Sequence, residues 1–131
     1  MIDYEVNIFD SVYRSVSSLY AAGKFVSRYV PSPTAYPAGS FVELTNVTVR
    51  NRQSSTPKEN YVHVVYQLDV YAKSKSECRS VYAATDEAII SLGFTRISGD
   101  YLDNADNVNI FRYTARYAAE IDRDGVIYRS S

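Results

Sequence analysis

Along the segment from Tyr61 to Ala72, side chains at even and odd positions differ in polarity. One set of positions is apolar throughout and the other is half polar, a period of two that predicts a β-strand with one face in a core. The apolar set is Val62, Val64, Tyr66, Leu68, Val70 and Ala72. Such a strand needs helices against its apolar face, and its mixed face is left for solvent or a partner.

Two helices are predicted to cover the apolar face. Ser74-Lys75-Ser76-Glu77 is a capping box, and Gly93 suits the left-handed residue that follows a helix. The expected buried stripe of this helix is Cys78, Val81, Tyr82, Thr85, Ile89 and Leu92. The segment Asp3 to Ala22 predicts the other helix, with Asp3 as its N-cap and Gly23 as its stop. Its expected stripe is Val6, Phe9, Tyr13, Val16 and Tyr20.

The remaining apolar segments have strand composition. They are Phe25 to Val30, Ser40 to Arg50 with a bulge near Thr45 and Asn46, Phe94 to Leu102, Val108 to Ile121, and a short strand after the turn at Asp124-Gly125. A proline-rich connection, Pro31 to Gly39, interrupts regular structure. We therefore predict an α+β fold in one domain, 1–131: an antiparallel-rich sheet with two helices on one face, in the order α-β-β-β-α-β-β.

Few residues in the chain could carry chemistry. The single histidine, His63, lies on the mixed face of its strand, and the single cysteine, Cys78, lies on an apolar helical stripe, where a thiol is a small hydrophobe. Asp100, Asp103 and Asp106 are three positions apart, unlike the alternating ligands of a calcium loop. We therefore expect no catalytic residue, no cofactor and no metal site. A small ligand-binding or enzymatic α+β domain remains the alternative, and a deep pocket with converging polar groups would favour it.

The balance of charge argues against some partners. The net charge of −1 gives no field that favours nucleic acid or an anionic membrane, and no segment is apolar for long enough to span a bilayer. The first residues lack the pattern of a signal peptide, so we expect synthesis in a cytoplasm. Thirteen tyrosines without a tryptophan suit either a protein interface or a tyrosine-rich sheet.

Charged residues concentrate in two predicted loops and on one strand face. A polar loop from Asn51 to Asn60 and its flank are basic, the connection after residue 99 is acidic, and the last long strand carries arginines on its polar side. Opposite charges on separate loops suit a head-to-tail contact between copies. The predicted interface residues are Arg50, Arg52, Lys58, Asp100, Asp103, Asp106, Arg112 and Arg116.

Five motifs along the chain carry a resemblance to a known family. They are Tyr29-Val30-Pro31-Ser32-Pro33 with Tyr36-Pro37, the strand Val62 to Tyr71, Asp86-Glu87 before Ser91-Leu92-Gly93-Phe94-Thr95-Arg96, Tyr113-Thr114-Ala115-Arg116-Tyr117, and Ile127-Tyr128-Arg129. In these features the chain resembles the tail terminator or minor capsid (head–tail joining) proteins of long-tailed bacteriophages.

The resemblance implies a structural virion protein without turnover or cofactor. It implies a homo-oligomeric ring, usually of six copies, that sits on the last ring of the tail tube, ends tube polymerisation and offers a docking face to the head. The implied partners are other copies of the chain, the tail tube protein and a head-completion or neck protein, with no membrane and no specific nucleic acid. The implied location is the tail or neck of the virion, after synthesis in the bacterial host cytoplasm. A head-closure or adaptor protein of the neck is the closest alternative.

Overall fold

A computed structural model describes residues 3–28, 35–50, 59–102 and 110–129. Within these ranges, two helices and six strands follow one another. The elements are α1 (Glu5–Val16), a 3-10 turn (Ser17–Leu19), β1 (Phe25–Val26), β2 (Ala38–Arg50), β3 (Glu59–Ala72), α2 (Lys75–Ser91), β4 (Thr95–Leu102), β5 (Phe111–Asp122) and β6 (Ile127–Arg129). The predicted α+β class and element order are confirmed, with β6 as the short strand expected after Asp124-Gly125.

The six strands form one sheet in the order β1-β2-β3-β5-β4, with β6 paired to β5. All described pairs are antiparallel except β1 with β2. The pairing of β2 with β3 shifts register between Glu43 and Thr45, which confirms the predicted bulge. The same pair shifts again between Val49 and Arg50, and the pairing of β4 with β5 shifts between Arg96 and Ser98. Because a bulge changes which face later residues point to, side chains of β2 change sides after Glu43.

The predicted apolar face of β3 is the centre of the core. Each of its six residues is at most 1 % exposed, and they pack with the buried residues of both helices in one cluster. Three aromatic rings meet there, one from β2, one from β3 and one from the connection between α2 and β4. The rings of Phe41 and Tyr66 stack with centroids 4.7 Å apart, and Phe94 meets Tyr66 edge-on at 5.4 Å. Aromatic contacts of this geometry add to the area they bury.

Helix α2 begins and packs as its sequence predicts. The Ser74 hydroxyl accepts a 3.1 Å hydrogen bond from the Glu77 backbone N–H. The predicted stripe is buried apart from Leu92, which is half-buried. Gly93 has φ +114, a conformation that side chains with a Cβ rarely adopt.

Helix α1 differs from the prediction in its length and in its buried face. It ends at Val16 in a 3-10 turn, and its buried residues are Ile8, Val12 and Val16. Val6 is 72 % exposed and Tyr13 is 40 % exposed, so the predicted stripe is wrong at both positions. The reason is that the segment carries two apolar stripes. The aliphatic one faces the sheet, while the aromatic one packs sideways on β1, as in the 5.5 Å stack of Phe9 on Phe25.

The N-terminal cap of α1 also lies one position away from the prediction. Tyr4 occupies the N-cap position and makes no side-chain cap hydrogen bond. The Asp3 carboxylate instead accepts a 3.2 Å hydrogen bond from the Glu5 backbone N–H. Two strands are shorter than predicted, β1 stopping at Val26 and β5 starting at Phe111, whereas β2 starts at Ala38, before its predicted start at Ser40.

Candidate assembly surface

The side of the sheet away from the helices is here called the outer face, and neither described helix packs on it. On β3 it carries Tyr61, His63, Val65, Gln67, Asp69 and Tyr71. The register places Arg112 opposite Tyr71, Arg116 opposite Gln67 and Glu120 opposite His63. Toward Tyr71 the outer face is closed by a small cluster of Ala38, Tyr71 and Ile110 with Tyr36.

A chain of polar contacts crosses the outer face between β3 and β5. Nε and a terminal nitrogen of Arg112 donate to one oxygen of Asp69, at 3.0 and 2.8 Å. The other Asp69 oxygen accepts from the Gln67 amide at 2.9 Å, and the Gln67 carbonyl accepts from Arg116 at 3.2 Å. Asp69 is nearly buried, with 2 % of its side chain exposed, so its charge requires these partners.

The two arginines predicted for this face have different surroundings. Arg112 is 19 % exposed, pairs with Asp69, and lies 5.6 Å from the centre of the Tyr71 ring. Arg116 is exposed, and among the described residues its Nε donates one hydrogen bond to a neutral amide. The Arg116 guanidinium is therefore the better placed of the two to meet a partner. The sequence pattern predicted that both lie on one face. It could not predict that Arg112 pairs with Asp69, because the sequence does not reveal the register of β3 with β5.

A groove of about 210 Å³ lies on the outer face beside this network. Its walls are Val42, Leu44, Gln67, Asp69 and Arg112. Leu44 is at the β2 bulge and is 43 % exposed, and Val47 further along β2 is 56 % exposed. Sequence reasoning missed both as surface residues, although the broken alternation that predicted the bulge is also the signal for this exposure.

Most of the predicted charged-loop residues lie outside the described residues. These are Arg52, Lys58, Asp103 and Asp106. The backbone alone is described for Arg50, the last residue of β2, and for Asp100, within β4. Strands β3 and β5 separate β2 from β4 in the sheet, so these two positions lie toward opposite edges of it.

The two residues considered for nucleophilic chemistry are on opposite faces of the sheet. His63 is half-buried on the outer face, whereas Cys78 belongs to α2 and is fully buried against the inner face of the sheet. The Cys78 thiol lies 3.6 Å from the Val70 carbonyl oxygen, and burial raises its pKa to about 11. A thiol with this pKa stays protonated near neutral pH, and the sheet separates it from the only histidine.

Neither described helix combines the length and apolar composition required to cross a membrane.

Comparisons with known proteins bear on the fold. No family model matches the sequence, and no curated protein matches it either. A search of solved structures finds a chain of the "Virion of native gene transfer agent (GTA) particle" with a TM-score of 0.60 and 11% identity. The match covers 87% of this chain and 93% of that chain. The protein therefore shares its fold, over nearly the whole length of both chains, with a component of that virion.

Proposed function

We propose that this protein is a structural virion protein of the head–tail junction. In this role it forms a ring that caps the tail tube, ends tube polymerisation and provides the docking face for the head. The observation that carries the proposal is the fold shared with a chain of a gene transfer agent virion across nearly the full length of both. The motifs that resemble tail terminator and minor capsid proteins support the head–tail junction as its place within the virion.

The outer face supports a role in assembly. It combines exposed apolar side chains on β2 with an exposed arginine on β5, a mixture found at protein interfaces. The groove beside it, about 210 Å³, is smaller than the roughly 300 Å³ at which small-molecule sites begin. A face of this kind suits a neighbouring subunit better than a small substrate.

The ring is closed and joined head to tail, with a different surface of each copy on either side of the contact. The partners are other copies of the chain, in a ring of six on the tail, then the tail tube protein below and a head-completion or neck protein above. The contact draws on the outer face with Arg116 and on the charged loops named from the sequence. The protein acts without turnover, resident cofactor or specific binding of nucleic acid, and it is located in the virion.

A head-closure or adaptor protein of the neck is the nearest alternative, because proteins of the same junction form rings of similar subunits. Deleting the gene from the particle-producing strain separates the candidates by electron microscopy. Loss of a terminator gives tails of uncontrolled, excessive length. Loss of a closure or adaptor protein gives tails of normal length that are detached from heads. Particles of normal form and yield would reject both roles.

A further inference from the structure

The sheet ends on both sides in a strand that has no further strand beside it among the described residues. On one side, β1 pairs with β2 only at Gly39 and Ser40, and no described strand lies along positions 41–50. On the other side, β4 pairs with β5, and no described strand lies beyond it. A strand edge of this kind is a template for pairing with another chain.

Both edge strands expose apolar side chains. Positions 96–99 of β4 are all exposed, and Ile97 among them is 58 % exposed. On β2, Leu44 is 43 % exposed and Val47 is 56 % exposed. Neither strand contains a lysine or a proline, residues that commonly protect a sheet edge from pairing. Exposed apolar residues on an edge without this protection indicate that another chain covers it.

A bulge in each edge strand limits where pairing is possible. Bulges twist an edge away from a neighbour, so only the regular stretch of each strand can continue the sheet. The register is continuous over 45–49 in β2 and over 98–102 in β4. These two stretches have the same length.

The directions of the strands fit the two edges to each other. Each step from β2 through β3 and β5 to β4 is antiparallel, so β2 and β4 run in opposite directions. A second copy that is placed beside the first by rotation about an axis along the strands keeps its strand directions. Its β2 then lies antiparallel to β4 of the first copy, and the sheet continues from one copy into the next.

We propose that β4 of one copy pairs with β2 of the next copy, through positions 98–102 and 45–49. The occupant of each edge is therefore the opposite edge of a second copy of this chain. This contact is head to tail and covers both edges, whereas pairing of β4 with β4 about a two-fold axis would leave β2 bare. The inference names the contact within the proposed ring and so rests on the proposed function, but it does not use the charged loops.

The joint keeps the two faces of the sheet continuous. Ser98 of β4 is opposite Arg116, and Val47 of β2 is opposite His63, so Ser98 and Val47 both belong to the outer face. Antiparallel alignment of the two stretches can therefore place outer positions beside outer positions. Arg116 is one strand in from the β4 edge, where its exposed side chain is near the joint.

Two lysine variants test the joint, one at each edge. Ile97→Lys places a charge on the β4 edge and Val47→Lys places one on the β2 edge. Both side chains are exposed, so we expect unchanged melting temperatures. In sedimentation velocity over a range of concentrations, each variant alone is expected to associate about tenfold or more weakly than the wild type. Val6→Lys makes the same change on α1, at a position that is 72 % exposed, and is expected to associate as the wild type does.

Mixing the two variants distinguishes head-to-tail pairing from other contacts. The intact β4 edge of Val47→Lys can pair with the intact β2 edge of Ile97→Lys, while both outward edges of the resulting pair carry a lysine. The mixture is therefore expected to form heterodimers and no larger species, which would also show that both variants are folded.

Three results would overturn the proposal. They are normal association of either variant alone, a mixture without heterodimers, and a wild-type chain that stays monomeric up to about 1 mM, a concentration that populates even a millimolar contact. The deletion strain tests the proposed function separately. Overlong tails in that strain, together with any of these three results, would reject the joint and leave the role at the head–tail junction in place.

Discussion

The Tyr117 hydroxyl donates a 2.6 Å hydrogen bond to Oδ1 of Asp86. The same oxygen accepts from the Tyr82 hydroxyl at 3.2 Å and lies 3.6 Å from a guanidinium nitrogen of Arg96. The Asp86 carboxylate thus joins α2 to β5 and β4 in the C-terminal half of the helix. Tyr117 is fully buried, and burial with the Asp86 hydrogen bond raises the pKa of its hydroxyl, so the phenol remains a donor at any ordinary pH.

Replacing Tyr117 with phenylalanine tests this network. The ring keeps its packing, while Asp86 loses its shortest hydrogen bond, and a bond to a charged acceptor contributes about 1.5–3 kcal/mol. We expect urea denaturation to show a loss of that size in the free energy of unfolding. Tyr128→Phe is the matched control, since that hydroxyl bonds Asp122 on the exposed surface and its loss is expected to leave the melting temperature almost unchanged. Equal effects of the two variants would contradict the role given to Asp86.

The Asp69–Arg112 pair predicts an asymmetric response to mutation. Arg112→Leu leaves the Asp69 carboxylate, with 2 % of its side chain exposed, without its charged partner, a change that costs about 3 kcal/mol or more. Removing both charges in Asp69→Leu/Arg112→Leu is expected to recover much of that loss, because the uncompensated charge is then gone. Chemical denaturation of the two single variants and the double variant measures the coupling. A double variant as unstable as the sum of the single ones would contradict it.

The Cys78 thiol should be protected by the fold. It is fully buried and burial raises its pKa to about 11, so both access and the thiolate fraction are low near neutral pH. We expect Ellman's reagent at pH 8 to label the native protein only at the rate of unfolding, and to label it fully within minutes in denaturant. Rapid stoichiometric labelling of native protein would show that α2 opens readily over the sheet.

Gly93 and Gly23 both have positive φ but different surroundings. A Cβ at Gly93, with φ +114, would lie 3.1 Å from the Ile127 carbonyl oxygen, whereas at Gly23, with φ +70, nothing lies within 4 Å. Gly93→Ala therefore combines backbone strain with a clash against β6, and we expect a loss of about 2 kcal/mol. Gly23→Ala carries the strain alone and is expected to cost about 1 kcal/mol. Thermal denaturation of the two variants compares them directly, and a smaller loss for Gly93→Ala would exclude the clash.

Features that depend on neighbours in sequence could be predicted, and features that depend on register could not. The alternation of β3, the cap at Ser74 and the bulge after Glu43 each arise from local rules, and the structure confirms them. The predicted buried face of α1 was wrong because this short helix carries two apolar stripes. Which stripe is buried depends on how the helix packs on the sheet, and the sequence does not reveal that.

The resemblance to phage ring proteins rests largely on residues that build the fold. Asp86, Arg96 and Tyr117 belong to the motifs that carry it, and in the structure they form the hydrogen-bonded network between α2, β4 and β5. Motifs of this kind identify a fold, because their side chains make contacts within the protein. The proposed contact surface lies on the other side of the sheet, where the motifs contribute Arg116 and the outward-facing residues of the strand Val62 to Tyr71.

Arg116 therefore provides the sharpest test of the outer face as a subunit contact. Its guanidinium is exposed and makes one described hydrogen bond to a neutral amide, so reversing its charge disturbs little within the subunit. Arg116→Glu is expected to fold with an unchanged melting temperature and to fail in ring formation, because a reversed charge repels the surface that the arginine meets. Arg14→Glu makes the same change on the exposed side of α1 and is the control. Sedimentation velocity, and complementation of the deletion strain scored by tail length, measure the two variants. Rings and tail lengths that are normal in Arg116→Glu would remove the outer face from the subunit contact, even if the ring itself forms.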